Sequence, residues 1–258
     1  MPEASMPQWV IERVLRRRGR LHCHADLQPH RTALVVIDMQ NFFLGDIADV
    51  GGPVSVAGKV PGADKIAPQI NRLARAIRET GGTVCWVQHT VDDRSRAEWS
   101  NWLAMGVAER QSALEDLKVG SGGHALIPAL ETEPGDEFVR KYRYSAFIQG
   151  SSDLPELLRA KGCDTVAVVG ALTNVCCESS ARDAMMLNFK TIMVSDANAS
   201  HTQEEHLASL ASFYASFGDV MSTDELIGYL RRPGVRRDAV ETAETPRRFG
   251  QAPATSAT

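Results

Sequence analysis

Three side chains in this sequence have the types and positions to do covalent chemistry together: Asp38, Lys141 and Cys176. The sulfur is the most telling. Residues Val166 to Ala184 read VAVVGALTNVCCESSARDA. Val166 to Val169 is a short apolar run that reads as a buried strand ending at Gly170. Gly170-Ala171-Leu172-Thr173 then reads as a tight strand-to-helix turn, and Cys176 falls in the first turn of the helix that follows. A thiol so placed lies at the carboxyl end of a strand and at the positive end of a helix. There the helix dipole and first-turn N–H groups favour the thiolate, the nucleophilic form. The same N–H groups can hold a developing oxyanion. The stretch predicts a cysteine hydrolase, with a base, a cation and a pocket supplied by the rest of the chain.

The other two residues also stand at strand ends. Ala33 to Ile37, ALVVI, reads as the first buried strand, and Asp38 follows it. Taken alone, that aspartate reads better as the cap of the next turn. Glu137 to Arg140 reads as the third strand, leading into Lys141. Between them, Asp64 to Thr80 has Ile66, Ile70, Leu73, Ala74 and Ile77 on one face of an amphipathic helix, stopped by Gly81-Gly82. Thr83 to Gln88 is the second strand, with His89 at its end. Leu154 to Lys161 is a helix, Thr165 to Val169 the fourth strand, and the cysteine helix runs to about Asn188. Thr191 to Val194 is the fifth strand, ending at Ser195-Asp196-Ala197. Gln203 to Phe217 and Leu226 to Leu230 are helical. Strand and helix alternate as in a three-layer α/β/α, doubly wound, mainly parallel sheet. In such a sheet the crevice opens beyond the carboxyl ends of the strands where the strand order reverses. If strands one and four flank that point, Asp38 and Cys176 meet across it.

The flanks read differently. Residues 1–30 form an N-terminal arm, in which Trp9, Val10, Arg13, Val14 and Arg17 fit one helix face. Arg16-Arg17-Arg18 and Arg20 make it basic, which suits either a nucleic-acid or membrane contact or, the preferred reading, a helix docked on this subunit or a neighbour. His22-Cys23-His24 reads as a turn into the first strand, since three consecutive ligands cannot converge on one ion and no second cluster accompanies them. Residues 44–62 are a Gly- and Pro-rich loop. Residues 90–130 are an irregular insertion, with Trp99, Trp102, Leu103, Met105 and Val107, of the kind that forms a pocket wall or lid. Residues 31–232 are expected to form the folded domain, and 233–258 a disordered tail.

Composition bounds the function. The 258 residues are 43% hydrophobic and 23% charged with net charge −4, which gives no electrostatic reason to expect nucleic-acid or membrane partners. The five cysteines are odd in number and irregularly spaced, so no disulfide framework is read. With no secretory leader or ~20-residue apolar span visible, a cytoplasmic location is expected.

The segments VVIDMQNFF, RKYRYSAF and VVGALTNVCCESSARDA, in that order, resemble those of the isochorismatase-like cysteine hydrolases. The resemblance covers roughly residues 31 to 231 and is greatest to the ureidoacrylate and N-carbamoylsarcosine types of amidohydrolase. It implies Asp38, Lys141 and Cys176 as the catalytic triad, an isochorismatase-like hydrolase fold, a cis peptide at Ala171–Leu172, and a homodimer or homotetramer. The backbone N–H groups of Leu172 and Cys176 become the oxyanion donors. Nicotinamidases in this superfamily hold a metal with an Asp-x-His segment after strand two. Here Gln88-His89-Thr90-Val91-Asp92 stands instead, so no metal or cofactor is expected. Cys177 is expected on the packing side of its helix, and Arg182-Asp183 as an internal salt link.

The expected reaction is attack of the Cys176 thiolate on a small amide, carbamoyl or ureido carbonyl, through a thioester, with ammonia or an amine released. Asp38 moves the protons and Lys141 offsets its charge. Gln40, His89 and Tyr144 are the candidate substrate contacts, with a structural role equally open for His89. Phe42, Phe43 and the tryptophans are candidate apolar walls. The competing readings are a vinyl-ether hydrolase of the isochorismatase type, which needs the acid but no thiol, and a non-catalytic member of the fold.

Overall fold

A computed structural model of the chain describes residues 6–44, 60–104 and 113–232. The expected tail at 233–258, most of the 44–62 loop, and Met105 and Val107 of the insertion lie outside the described residues. The sheet is built from β1 (Thr32–Ile37), β2 (Thr83–His89), β3 (Glu137–Lys141), β4 (Thr165–Ala171), β5 (Lys190–Ala199) and β6 (Asp219–Met221). Their order is β3-β2-β1-β4-β5-β6, and every pairing is parallel. The order reverses between β1 and β4, so these two central strands flank the switch point. Both are buried along their whole length, as their unbroken apolar runs require of strands covered on two faces.

Side-chain alternation divides the core into two halves. Ala33, Val35, Ile37, Val166 and Val168 face one helical layer, with Leu154, Leu158, Ala181, Ala184 and Phe213. That layer comprises α1 (Gln8–Arg18), α6 (Leu154–Ala160), α7 (Glu178–Met186) and α8 (Gln203–Ser216). Leu34, Val36, Ala167 and Val169 face the other, with Ile66, Ile70, Leu73, Ile77, Leu226 and Leu230 from α3 (Ala63–Glu79) and α9 (Thr223–Leu230). Both α8 and α9 start with reciprocal capping boxes, Thr202 with Glu205 and Ser222 with Glu225.

The strands depart from the sequence reading at the second half of the sheet. β4 runs on through Gly170 and Ala171, where a turn was expected. β5 continues past Ser195-Asp196 to Ala199, after a register shift against β4. Asn198 closes the irregularity: its Nδ2 donates to the Val168 carbonyl at 3.0 Å and the Val194 carbonyl at 2.7 Å. The three-residue β6 has no apolar run long enough to be read as a strand; it exists because it pairs with β5.

The N-terminal segment forms a helix docked on this subunit, the preferred of its two readings, and it reaches into the core. Val10 and Val14 of α1 are fully buried in the first core half. Its basic end finds carbonyls at the close of α8. Arg17 donates to the Ala215 carbonyl at 2.5 Å, and Arg18 to those of Tyr214 and Gly218 at 2.7 and 2.9 Å. Cations at a helix C-terminus satisfy carbonyls that have no partner within the helix and oppose the negative end of its dipole. Those two arginines are thus spent on the fold. Among the described residues no helix is long and apolar enough to cross a membrane.

Short helices lie over the carboxyl end of the sheet: α2 (Asn41–Leu44), α4 (Asp93–Glu98) and α5 (Ser100–Ala104). They share a separate apolar cluster of Val91, Trp102, Ala113, Leu114 and Leu117, with Phe42, Phe43, Trp99 and Tyr144 against it.

Candidate active site

Asp38 is the first residue beyond β1. Its φ is +52°, in the left-handed region that few non-glycine residues occupy. The backbone there is held by Asp38 N–H donating to the Val87 carbonyl at 2.9 Å and by Gln40 N–H donating to the Asp38 carbonyl at 2.8 Å. The carboxylate is turned inward and is 1% exposed.

Lys141 is the last residue of β3 and is wholly buried. β2 stands between β3 and β1, with His89 level with Lys141. Neighbouring strands are about 4.8 Å apart, so an amine on β3 must cross the end of β2 to meet an acid on β1. The long lysine stem does so. Its Nζ lies 2.8 Å from Asp38 Oδ2, 3.1 Å from the Arg143 carbonyl and 3.2 Å from His89 Nδ1. His89 Nδ1 must be unprotonated to accept, which leaves the proton of a neutral ring on Nε2.

Cys176 comes from the other side of the switch point. At Gly170 the φ is +120°, and a Cβ there would stand 2.1 Å from the Ile37 carbonyl oxygen. Only glycine lets β4 lie this close to β1 immediately before Asp38. The peptide Ala171–Leu172 is cis, as the resemblance implies. Thr173–Cys177 then forms one wide π-helical turn that folds back on Leu172, whose carbonyl accepts from Val175 N–H at 3.2 Å and Cys177 N–H at 3.1 Å. This places the Cys176 thiol within hydrogen-bonding reach of both the Asp38 carboxylate and the Lys141 ammonium. The acid, the amine and the sulfur are therefore together.

The electrostatics correct one expectation. Cys176 precedes the regular helix α7, which starts at Glu178, and its thiol is buried. Burial pushes the thiol pKa up; Lys141 pulls it down, but Asp38 pushes it up again. The resting sulfur is a thiol, and any dipole effect is outweighed. Burial likewise raises the Asp38 carboxyl above its usual range, with Lys141 only partly opposing it. For Lys141, burial works to lower the pKa, but the charge of Asp38 and the neighbouring thiol outweigh it, and the ammonium is held more firmly than usual. The site thus rests as a buried ion pair beside a neutral thiol. Moving the thiol proton to Asp38 exchanges one anion for another beside the same cation, so net buried charge does not change.

The remaining candidates separate by role. Gln40 was expected to touch substrate, but its amide is committed to backbone. Nε2 donates to the His89 and His124 carbonyls at 3.1 and 2.9 Å, and Oε1 accepts from His89 N–H at 2.7 Å. It ties the ends of β1 and β2 to the 124–126 segment and leaves no polar atom for a ligand. His89 sits between Lys141 and an aromatic wall, its ring centroid 6.3 Å from Trp99, 6.4 Å from Trp102 and 6.4 Å from Phe43. Trp99 and Trp102 stack at 5.1 Å, and the half-buried Tyr144 meets Trp99 edge-on at 4.9 Å. The insertion therefore walls the side of the site that His89 borders. Arg182 pairs with Glu178 at 2.5 Å, not with its neighbour Asp183. Cys177 is fully buried on the packing side.

Among the described residues no group of three or more His, Cys, Asp or Glu could hold a metal ion. An open groove of about 590 Å³ runs along the outer edge of β3, past Phe138, Arg140 and Tyr142; none of the three convergent residues lines it, so it is not where they act. Two contacts were not readable from sequence. The Arg143 carbonyl on Lys141 has no side-chain signal, and the tie from Thr173 to His206 joins residues 33 positions apart.

Ureidoacrylate amidohydrolase RutB of Pseudomonas syringae pv. syringae is 31% identical over 210 residues, covering 77% of this chain and 83% of that protein. RutB of Agrobacterium fabrum is 35% identical over 181 residues, covering 66% and 77%. Among solved structures, a cysteine hydrolase from Pseudomonas syringae pv. phaseolicola superposes with TM-score 0.67 at 29% identity, covering 79% of this chain and 94% of that one. N-carbamoylsarcosine amidase from Thermoplasma acidophilum does so with TM-score 0.57 at 26% identity, covering 75% and 97%. The sequence profile of the isochorismatase domain matches residues 32–225, which begins with β1, ends inside α9 and contains Asp38, Lys141 and Cys176, so the chain belongs to the isochorismatase family.

Proposed function

We propose that this protein is a cysteine-dependent amidohydrolase, cleaving a C–N bond of a small planar ureido or carbamoyl compound, with ureidoacrylate the first candidate. The observation that carries the reading is the convergence of a buried thiol, carboxylate and ammonium at the switch point. The names of the matched relatives select the substrate class.

In the proposed reaction Asp38 takes the Cys176 proton as sulfur attacks the carbonyl carbon. The C=O π pair moves onto oxygen, which the Leu172 and Cys176 N–H groups hold; one such donor is worth about 3–4 kcal/mol in transition-state stabilisation. The C–N bond breaks, and Asp38 passes its proton to the leaving nitrogen. The acyl or carbamoyl group remains on sulfur as a thioester or thiocarbamate. Asp38, again ionised, removes a proton from water, which attacks the same carbon; the expelled thiolate takes that proton back from Asp38, restoring the thiol and the carboxylate. Lys141 stays protonated throughout, so the site always contains one cation against one anion. The half-buried Trp99 and Tyr144, backed by the buried Trp102, offer flat apolar surface suited to a conjugated substrate.

A vinyl-ether hydrolysis would use Asp38 as an acid and leave the sulfur idle. The thiol's contact with both charged groups favours the amidase instead. The test is wild type and Cys176→Ala with ureidoacrylate and a panel of small ureas, carbamates and amides, with intact-mass detection of the acyl or carbamoyl adduct. Turnover and adduct in the wild type, both lost in the variant, support the reading. Turnover that survives removal of the sulfur refutes it.

A further inference from the structure

The turn that carries Cys176 is bound on its outer side by one face of α8. His206, Ser209 and Ser212 recur every three residues, so they share a stripe of that helix. His206 Nδ1 lies 2.8 Å from Thr173 Oγ1. Ser209 Oγ lies 3.2 Å from the Thr173 carbonyl oxygen and 2.7 Å from Glu178 Oε2. Arg182, paired to Glu178, donates to Ser212 Oγ at 2.9 Å and lies 4.0 Å above the Phe217 ring. A further tie, Ser200 Oγ to Asn174 Oδ1, reaches the turn from the end of β5. Thr173 is fully buried and Ser209 nearly so, so these bonds do not compete freely with water.

The histidine is the member of this set that also reaches β5. Its ring engages the Ser195 backbone carbonyl. With Nδ1 taken by Thr173, Nε2 is left to donate to that carbonyl. Burial lowers its pKa below the usual histidine range, which keeps the ring neutral, with one donor and one acceptor for two partners. Thr173 O–H then donates to Nδ1. Thr173 is three residues before Cys176 and directly follows Leu172, the other proposed oxyanion donor. A slip of the Thr173 side chain would rotate the peptide units that aim both N–H groups.

We propose that His206 is a positioning residue: through Thr173 it holds the Cys176 turn so that the sulfur and the Leu172 and Cys176 N–H groups face one point. It touches no substrate and acts through its threonine contact. The role of those two N–H groups rests on the proposed function, whereas the placement of the sulfur does not.

The experiment uses the full chain and two readouts. One is the rate of Cys176 carbamidomethylation by iodoacetamide, located by peptide mass, which needs no knowledge of the substrate. The other is kcat and KM with ureidoacrylate. His206→Ala should lower kcat by about tenfold to a hundredfold, leave KM within about twofold, and slow Cys176 alkylation. His206→Asn places a carbonyl oxygen where Nδ1 stood and should recover most of both rates. His206→Gln offers its amide on the Ser195 side and should not. Thr173→Val should match His206→Ala, and the double variant should lose no more than either single one. Wild-type kcat and alkylation in folded His206→Ala, or independent additive losses in the double variant, would overturn the proposal. If the wild type does not turn over ureidoacrylate, the substrate reading fails while alkylation still decides the role of His206. If His206→Ala does not fold, Thr173→Val and His206→Asn carry the comparison.

Discussion

Removing the Lys141 amine while keeping its bulk, as in Lys141→Met, should leave Asp38 as a buried anion without its cation. Both groups are essentially inaccessible, and Nζ stands 2.8 Å from Oδ2. Breaking one half of such a pair costs about 3–5 kcal/mol, because the remaining charge keeps its desolvation penalty and loses its compensation. For a domain of this size each kcal/mol shifts the melting temperature by about 2–4 °C, so a fall of about 6–20 °C is expected near pH 8. The sign with pH follows from linkage. Burial already raises the Asp38 pKa with the cation present, and the variant raises it further. The folded variant then binds a proton that the unfolded chain does not, from the unfolded value of 3.8 upward. Its stability falls as pH rises through that window, so the deficit against wild type should be largest at pH 8 and shrink toward pH 5. Adding Asp38→Asn removes the orphaned charge, and the double variant should recover part of the lost stability. Melting curves by circular dichroism for wild type, both single variants and the double, at both pH values, make the test. If Lys141→Met melts with wild type at pH 8, or the double variant is less stable than the single one, the buried ion pair is not what the site is built around.

Three further outcomes follow from other contacts. Gln40→Leu strands the His89 N–H and takes a donor from the His89 and His124 carbonyls, the second of which keeps Gln88 Nε2 at 2.8 Å, and should cost about 1–3 kcal/mol in urea denaturation; a change confined to KM with unaltered stability would restore it as a substrate contact. Gly170→Ala puts a methyl 2.1 Å from the Ile37 carbonyl oxygen at φ +120°, and should leave little soluble folded protein; a stable, active Gly170→Ala would show that β1 and β4 separate without cost. His22 Nδ1 lies 3.2 Å from Asp219 Oδ1, and that hydrogen bond, together with the charges of Asp219 and Glu225, raises the imidazole pKa from 6.5 despite burial. Its contribution is present below the unfolded value and lost as pH rises through the folded one, so wild type should exceed His22→Ala in melting temperature at pH 6 by more than at pH 8; an equal gap at both would refute the protonated contact.

Much of this protein was legible one residue at a time. The apolar runs at 33–37 and 166–169 are long enough to be strands and lack the alternation of a half-exposed sheet, so a doubly wound core could be read from them directly. Asp38 was readable because it stands where such a run stops, Lys141 because it ends a shorter strand and Cys176 because it follows the turn after one; the winding rule places these ends on one side of the sheet, and the family resemblance named the three together. What the letters do not contain is distance and dielectric. That Lys141 crosses the end of β2, that Cys176 rests as a thiol, and that Gln40 holds backbone depend on neighbours far along the chain. The same holds for β6, which is a strand only by pairing with β5, and for α1, whose arginines find their carbonyls on α8 about 200 residues later. Residue types and their periodicity determined the fold class and the cast of the site. Burial and cross-chain contacts, which exist only once the sheet has closed, decided the protonation and the role of each member.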